Sequence, residues 1–173
     1  MRARRLLAPL ALVATLITAP AALAAEAQPK RYVSEHGPLR DLAGNADPTD
    51  GAVAHFVAFT SRGTTRAMLF VTGLAPGAVG RTLGAHVHVG PCVAGQPTAA
   101  GPHYNTEGPT GPGDRAHEIW LDFTVLPGGI GIADTTVPFV IPAGAAGSVV
   151  VHRDHTAPGG AAGPRMACLP AGF

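Results

Sequence analysis

Alternation of apolar and polar residues with a period of two is the main pattern along this chain, and it predicts β-strands. In residues 52–60, one face carries Val53, His55, Val57 and Phe59, and the other is mostly alanine, as expected for a strand whose side chains alternate between faces. Alternating or short apolar runs predict six strands, over residues 52–60, 64–72, 83–89, 117–125, 131–141 and 147–153. No helical stripe of ten or more residues follows residue 24 in the sequence.

Turn residues separate these runs and narrow the fold class. Residues 61–63 lie between the first two runs and predict a hairpin turn. Short strands separated by glycine and proline favour an all-β domain, an antiparallel sandwich or barrel. The longest stretch without a strand signal is 90–115, and loops of this length in a compact domain are usually functional.

The N-terminus has the pattern of a secretory signal peptide. Arg2, Arg4 and Arg5 precede an apolar run that ends in Ala22-Leu23-Ala24, which has the small-x-small form of a cleavage site. This pattern predicts a cleaved signal over residues 1–24 and an exported, secreted protein with no stable membrane association after cleavage. An uncleaved anchor is the alternative, because the run approaches the ~20 residues that span a bilayer.

The next segment, residues 25–50, is polar and contains three prolines without a sustained period. It predicts an exposed, partly ordered leader, which places the folded domain at residues 51–173. Without the three arginines of the signal, nine Lys/Arg remain against eleven Asp/Glu. A nucleic-acid partner is not expected, because no clustered basic face is present.

The chain has two cysteines, Cys92 and Cys168. In an exported protein, an even count predicts an intrachain disulfide, with two free buried thiols as the alternative. Closing a loop of this length would stabilise the fold by ~4 kcal/mol in the chain-entropy description of the unfolded state.

Four histidines have the composition of an all-imidazole metal site. His86 and His88 are two residues apart in a predicted strand, so both project from one face. His103 lies in the long loop and His152 ends the last predicted strand. Imidazole suits copper, zinc, iron and nickel, and the lack of nearby Met or Cys ligands argues against a Cu(I) transport site. Arg165 lies three residues before Cys168, so a disulfide there would fix its position, and a guanidinium is suited to recognise a small anion. A solvated surface arginine is the alternative.

The order of these motifs is more specific than any one of them. His86-Val-His88, a cysteine, Gly-Pro-His103-Tyr-Asn, Val-Val-His152 and Gly-Pro-Arg165-Met-Ala-Cys168 follow one another. This order resembles the copper/zinc superoxide dismutase family over about residue 50 to the C-terminus. The resemblance implies a Greek-key β-barrel or sandwich, immunoglobulin-like in architecture, with long metal-binding loops.

The resemblance also implies an activity and residue roles. The expected reaction converts superoxide to dioxygen and hydrogen peroxide by copper redox cycling. The residues that match the family's copper ligands are His86, His88, His103 and His152. His103 would also carry a proton, Arg165 would guide superoxide, and Cys92 and Cys168 would form the family disulfide.

The chain departs from the family at the zinc site. The family takes two further histidines and an aspartate after the bridging histidine, whereas this chain offers His117 alone before residue 118. We interpret His117 as a surface or strand-edge histidine. The alternative is a zinc ion held by His103, His117 and a carboxylate, for which Glu107, Asp114 and Asp122 are the candidates. The segment 153–164 is also short and nearly uncharged. Both departures favour a copper-only relative.

Other readings compete with catalysis. The chain could be a dismutase-like domain that binds or buffers copper with little turnover, although such a domain has less reason to keep Arg165. A zinc hydrolase is disfavoured, because no Glu or Asp base accompanies the histidine pair. Two further histidines, His36 and His55, are interpreted as a solvated residue and a core or edge residue.

Overall fold

The computed structural model describes residues 32–173; the predicted signal over 1–24 lies outside them. Ten strands follow in chain order: β1 Tyr32–Pro38, β2 Arg40–Asp41, β3 Val53–Ser61, β4 Thr64–Thr72, β5 Thr82–Leu83, β6 Ala85–His88, β7 Phe123–Thr124, β8 Gly131–Val137, β9 Ser148–His152 and β10 Arg165–Pro170. Two short 3-10 helices, Pro76–Ala78 and Pro97–Ala100, interrupt them. Within residues 32–173, no helix has the length and apolarity needed to cross a membrane.

The strands form two four-stranded antiparallel sheets. The first has the order β1-β3-β4-β8 and the second the order β2-β10-β9-β6, while β5 and β7 form a separate pair. The predicted all-β antiparallel class is therefore confirmed, as a Greek-key sandwich in which the two sheets are separate rather than one closed barrel.

The β3-β4 hairpin shows how the local sequence specifies the first sheet. Its nine paired positions run from Val53 opposite Thr72 to Ser61 opposite Thr64. The two residues between the strands, Arg62 and Gly63, have φ of 51° and 80°, and positive φ at both positions is what a type I′ hairpin turn requires. The predicted hairpin is confirmed.

Alternate positions of the first sheet build the core. Ala54, Phe56 and Ala58 of β3 are buried, and Leu69 and Val71 of β4 pack in the same cluster. Residues of the second sheet, among them Val149 and Val151 of β9, join this cluster. The core therefore lies between the two sheets.

The start of the domain and three strands differ from the sequence expectation. β1 lies inside the predicted leader and pairs with β3 along its whole length, so the sheet includes residues before 51. Its pattern is weak because it is an edge strand in which only Val33 is buried. β2 is only two residues long. β10 is not predicted, because Met166–Leu169 are buried without alternation and include no β-branched residue.

The predicted strand over 117–125 is mostly irregular. Only Phe123–Thr124 form a strand, and Trp120 makes an isolated bridge to His86. Residues before Trp120 instead turn toward His103, where Glu118 accepts a hydrogen bond. A polar contact at the site thus outweighs the local apolar pattern.

The predicted disulfide between Cys92 and Cys168 is confirmed, with a Cα–Cα distance of 5.6 Å. The bond joins the loop after β6 to β10 and packs with Leu42, Ala100 and Val150. It therefore ties the long loop to the second sheet.

Candidate metal centre

Four histidines from three parts of the chain meet at one end of the second sheet. His86 and His88 are on β6, and His152 is the last residue of β9. His103 comes from the long loop and pairs with His88 through an isolated β-bridge. One ring nitrogen from each of the four lies within 4.8 Å of those of the others.

The local pattern of β6 explains why two of these side chains point together. Ala85 and Val87 pack into the core, so His86 and His88 take the opposite face. Both histidines are nonetheless fully buried, because loop residues cover that face of the strand.

Each imidazole uses one nitrogen to bond the surrounding protein. The contacts are His86 Nε2 to Thr156 Oγ1 at 2.7 Å, His88 Nδ1 to the Gly101 carbonyl at 3.0 Å, His103 Nδ1 to Glu118 Oε2 at 2.7 Å, and His152 Nδ1 to the Gly163 carbonyl at 3.2 Å. A nitrogen that faces a carbonyl or carboxylate oxygen must carry the proton. The Thr156 hydroxyl donates to Asp122 Oδ1 at 2.7 Å, so it accepts from His86. These partners assign the tautomer of each ring and leave its other nitrogen with a free lone pair.

The remaining nitrogens are suited to a cation. His86 Nδ1 is buried and has no hydrogen-bond partner. His88 Nε2 and His152 Nε2 face each other at 3.3 Å, and two lone pairs at this distance repel unless a positive charge lies between them. An orphaned nitrogen and two opposed lone pairs fit a transition-metal ion, for which such outer hydrogen bonds orient the ligands.

Burial keeps three of the four imidazoles neutral. It lowers the pKa of His86 and His88 far below the usual value, and the neighbouring imidazoles lower it further. Burial also lowers the pKa of His152 to about 4, although its bond to the Gly163 carbonyl opposes this. These three rings are therefore unprotonated at neutral pH, as metal ligands must be.

Glu118 is a site residue that the sequence interpretation did not name. Its carboxylate accepts from His103, from Trp120 Nε1 at 2.7 Å and from Asn105 Nδ2 at 3.2 Å. Burial raises the pKa of Glu118, but these hydrogen bonds outweigh it, and the pKa lies below its usual value. The signal in the sequence was weak, because Glu118 begins an apolar segment that resembles a strand.

His117 and Asp122, both considered as zinc ligands, have separate partners, and the two other candidate carboxylates lie beside His117. His117 is bonded to Asp114 at 2.7 Å and lies 3.4 Å from Glu107. Asp122 is buried beneath His86, where its carboxylate accepts from the backbone and hydroxyl of Thr156. Within residues 32–173, two groups of three or more ligand side chains lie close enough together to hold a metal: the four histidines and a largely exposed aspartate cluster of Asp41, Asp47 and Asp50. The structure does not gather His103, His117 and Asp122 into one site.

Arg165 lies beside the four histidines at the start of β10, opposite His152 in the sheet register. Its guanidinium donates to the carbonyls of Pro97 at 2.5 Å and Gly101 at 2.6 Å. The Gly101 carbonyl also accepts from His88, so one oxygen joins the arginine to a histidine of the cluster. Burial lowers the pKa of Arg165, yet a guanidinium remains cationic at neutral pH. Arg165 lines a hollow of about 270 Å³ together with His103 and Glu118.

Comparison with known proteins supports the fold. No protein-family profile matches this chain, and no curated protein matches it. Among solved structures, it is similar to the crystal structure of a double mutant of a superoxide dismutase-like (SOD-like) protein from Bacillus subtilis, with a TM-score of 0.54 and 19% identity. The match covers 80% of this chain and 97% of that chain. The chain therefore has a SOD-like fold.

Proposed function

We propose that this chain is an exported superoxide dismutase that uses copper without zinc and converts superoxide to dioxygen and hydrogen peroxide. The observation that carries the proposal is the set of imidazoles whose outer nitrogens are all bonded to protein acceptors. Their free nitrogens converge beside a half-buried arginine. Copper bound by His86, His88, His103 and His152 would supply one-electron exchange with superoxide.

The donor set favours copper over other ions. Nitrogen ligands follow the order of affinity in which copper exceeds zinc, nickel and iron. Glu118 supports the copper-only form, because its carboxylate already accepts the Nδ1 proton of His103. In the family that the sequence resembles, that histidine bridges to zinc.

Arg165 would attract and place the anion. Its two bonds to backbone carbonyls use part of its donor capacity and hold the guanidinium still, while other N–H groups remain for an oxyanion. A fixed cation in a hollow raises the local concentration of a small anion.

His103 and Glu118 would deliver a proton to the reduced oxygen species during peroxide formation. Glu118 holds the proton on Nδ1 of His103, and both residues line the hollow that Arg165 shares. Peroxide formation consumes protons, and a carboxylate-bonded imidazole that borders a hollow is placed to pass one on and to be protonated again.

Export is supported by the disulfide. Disulfides persist in oxidising compartments, and Cys92–Cys168 joins two parts of the chain that hold the candidate site. The predicted signal over residues 1–24 is the sequence feature behind this part of the proposal.

The experiment is elemental analysis of the mature chain after dialysis with copper and zinc together, followed by a dismutation assay on the same sample. We expect bound copper, negligible zinc and turnover. Bound copper without turnover would make the protein a copper-binding domain instead. Stoichiometric zinc would contradict the copper-only form.

Replacing Arg165 separates catalysis from binding. Arg165→Ala should lower the rate by roughly tenfold or more through loss of anion attraction, with copper still bound, and Arg165→Lys should recover part of it. The matched control is Arg153→Ala, since Arg153 is exposed and paired with Asp154; it should retain most of the rate. Full activity of Arg165→Ala would remove the steering role.

A further inference from the structure

Two histidines outside the candidate centre face each other on the first sheet. His36 of β1 lies directly opposite His55 of β3 in the register. Their ring centroids are 5.8 Å apart with an interplanar angle of 79°, and both residues are exposed. The four-histidine centre is built on the other sheet and its loops, so this pair is a separate feature.

The backbone places the two side chains at chelating distance. Directly opposed residues of antiparallel strands have Cβ atoms about 4.5–5.5 Å apart on the same face. Within the four-histidine centre, ring centroids are between 4.0 Å and 6.3 Å apart. The separation of His36 and His55 lies inside that range, and exposed side chains change rotamer readily.

We propose that His36 and His55 form a second metal site, which binds one divalent late first-row ion, Cu²⁺, Ni²⁺ or Zn²⁺, through one nitrogen of each ring. Imidazole is a favoured ligand for these ions, and water completes the coordination on the exposed side. The proposal is independent of the dismutase function, because it uses no residue of the candidate centre.

The sheet prepares this site before the ion arrives. Strand pairing on both sides of His55 holds its backbone, since β3 is bonded to β1 and β4. Binding therefore orders only two side chains, which keeps the entropic cost small. The next residues across the sheet, in register with His55, are Phe70 on β4 and Ile132 on β8. This row of paired residues therefore contains no cationic side chain that would repel the ion. The Ser34 hydroxyl lies 3.3 Å from His55 Nε2 and can steady that ring while Nδ1 coordinates.

The test counts bound ions. The mature protein is titrated with Cu²⁺ and, separately, with Ni²⁺ by calorimetry, and copper samples are examined by electron paramagnetic resonance. We expect wild type to take up one ion per chain more than either His36→Ala or His55→Ala, and the spectrum of the additional copper to disappear in both variants. Circular dichroism checks that both variants fold.

His117→Ala is the matched control, because it removes another partly exposed histidine that has carboxylate neighbours. It should keep the additional ion. The proposal is overturned if wild type binds no additional ion, if either strand variant still binds it, or if His117→Ala loses it. None of these outcomes depends on dismutase activity, so the two proposals fail separately.

Discussion

The two four-stranded sheets differ in how their faces are covered. In the first sheet, β3 and β4 alternate between buried and accessible residues, so one face packs on the core and the other meets solvent. In the second sheet, every residue of β6 and β9 is buried, because the core covers one face and loops cover the other. The covered sheet can hold a metal centre shielded from water, whereas an ion on the outer face of the first sheet, as at the proposed His36–His55 site, would keep water ligands.

Removing the disulfide tests whether the loop cover depends on covalent attachment. The double variant Cys92→Ser, Cys168→Ser should lose about 4 kcal/mol of the free energy of unfolding, because the unfolded chain gains the freedom of a 76-residue loop. Urea unfolding measures this loss. The variant should also retain copper more weakly, since the freed loop carries the carbonyls that hold His88 and Arg165. A loss below about 1 kcal/mol would contradict the chain-entropy account.

Phe56→Ala tests the first sheet. Phe56 is fully buried on β3, so its removal should cost roughly 3–5 kcal/mol through lost burial and a residual cavity. Metal stoichiometry of the folded variant should be unchanged. Phe59→Ala is the matched control on the same strand: Phe59 points outward and is 38% exposed, so its loss should be far smaller. Equal losses would mean that the two faces do not differ as the structure shows.

Glu118→Gln sharpens the account of the covered sheet. The amide keeps the size of the side chain but removes the negative charge to which His103 and Trp120 donate hydrogen bonds. Loss of such an outer hydrogen-bond partner should weaken copper affinity or lower the rate by about 10–100-fold. Competition with a chelator measures the affinity. The matched control is Glu107→Gln, which alters an exposed carboxylate near His117 and should leave both values unchanged. If the two variants behave alike, Glu118 does not orient His103.

The smallest expected effect is a pH dependence of the metal-free protein. The pKa of His152 is lowered to about 4 in the folded chain, whereas an unfolded histidine titrates near 6.5. The unfolded state therefore binds more protons between these two pH values. The stability that neutral His152 contributes is fully present above pH 6.5 and is lost as the pH falls toward 4. Between pH 6.5 and 5.5 the His152 contribution is about 1 kcal/mol. His152→Ala should show a shallower decline in urea unfolding over this range; an unchanged slope would contradict the assignment.

The sequence predicted the regular parts of the fold. The β3-β4 hairpin and strand β9 follow from alternation, short apolar runs and turn residues. Strand β1 was not predicted because it is an edge strand with one buried residue. Strands β9 and β10 are both buried on two faces, but β9 carries three consecutive valines, whereas β10 has no β-branched residue to indicate a strand.

The candidate site also has a part that the sequence predicts and a part that it does not. His86 and His88 could be paired from the sequence, because two residues on a strand share a face. The hydrogen-bond partners of the outer ring nitrogens could not be predicted from the sequence. Thr156, Gly101 and Gly163 are brought to the rings by loops whose path no local pattern encodes. The same holds for His36 and His55, which only the pairing of β1 with β3 brings together.

The sequence by itself determined an all-β chain with a disulfide, a row of metal-ligand motifs and one arginine suited to an anion. The strand and ligand motifs depend on residue type and short spacing, and the disulfide was expected from an even cysteine count in a chain with the pattern of an export signal. Only the tertiary structure decided that Glu118 accepts the proton-bearing nitrogen of His103 and that His117 and Asp122 bond elsewhere. Those contacts join residues from different loops, and their geometry depends on how the whole chain packs around the second sheet.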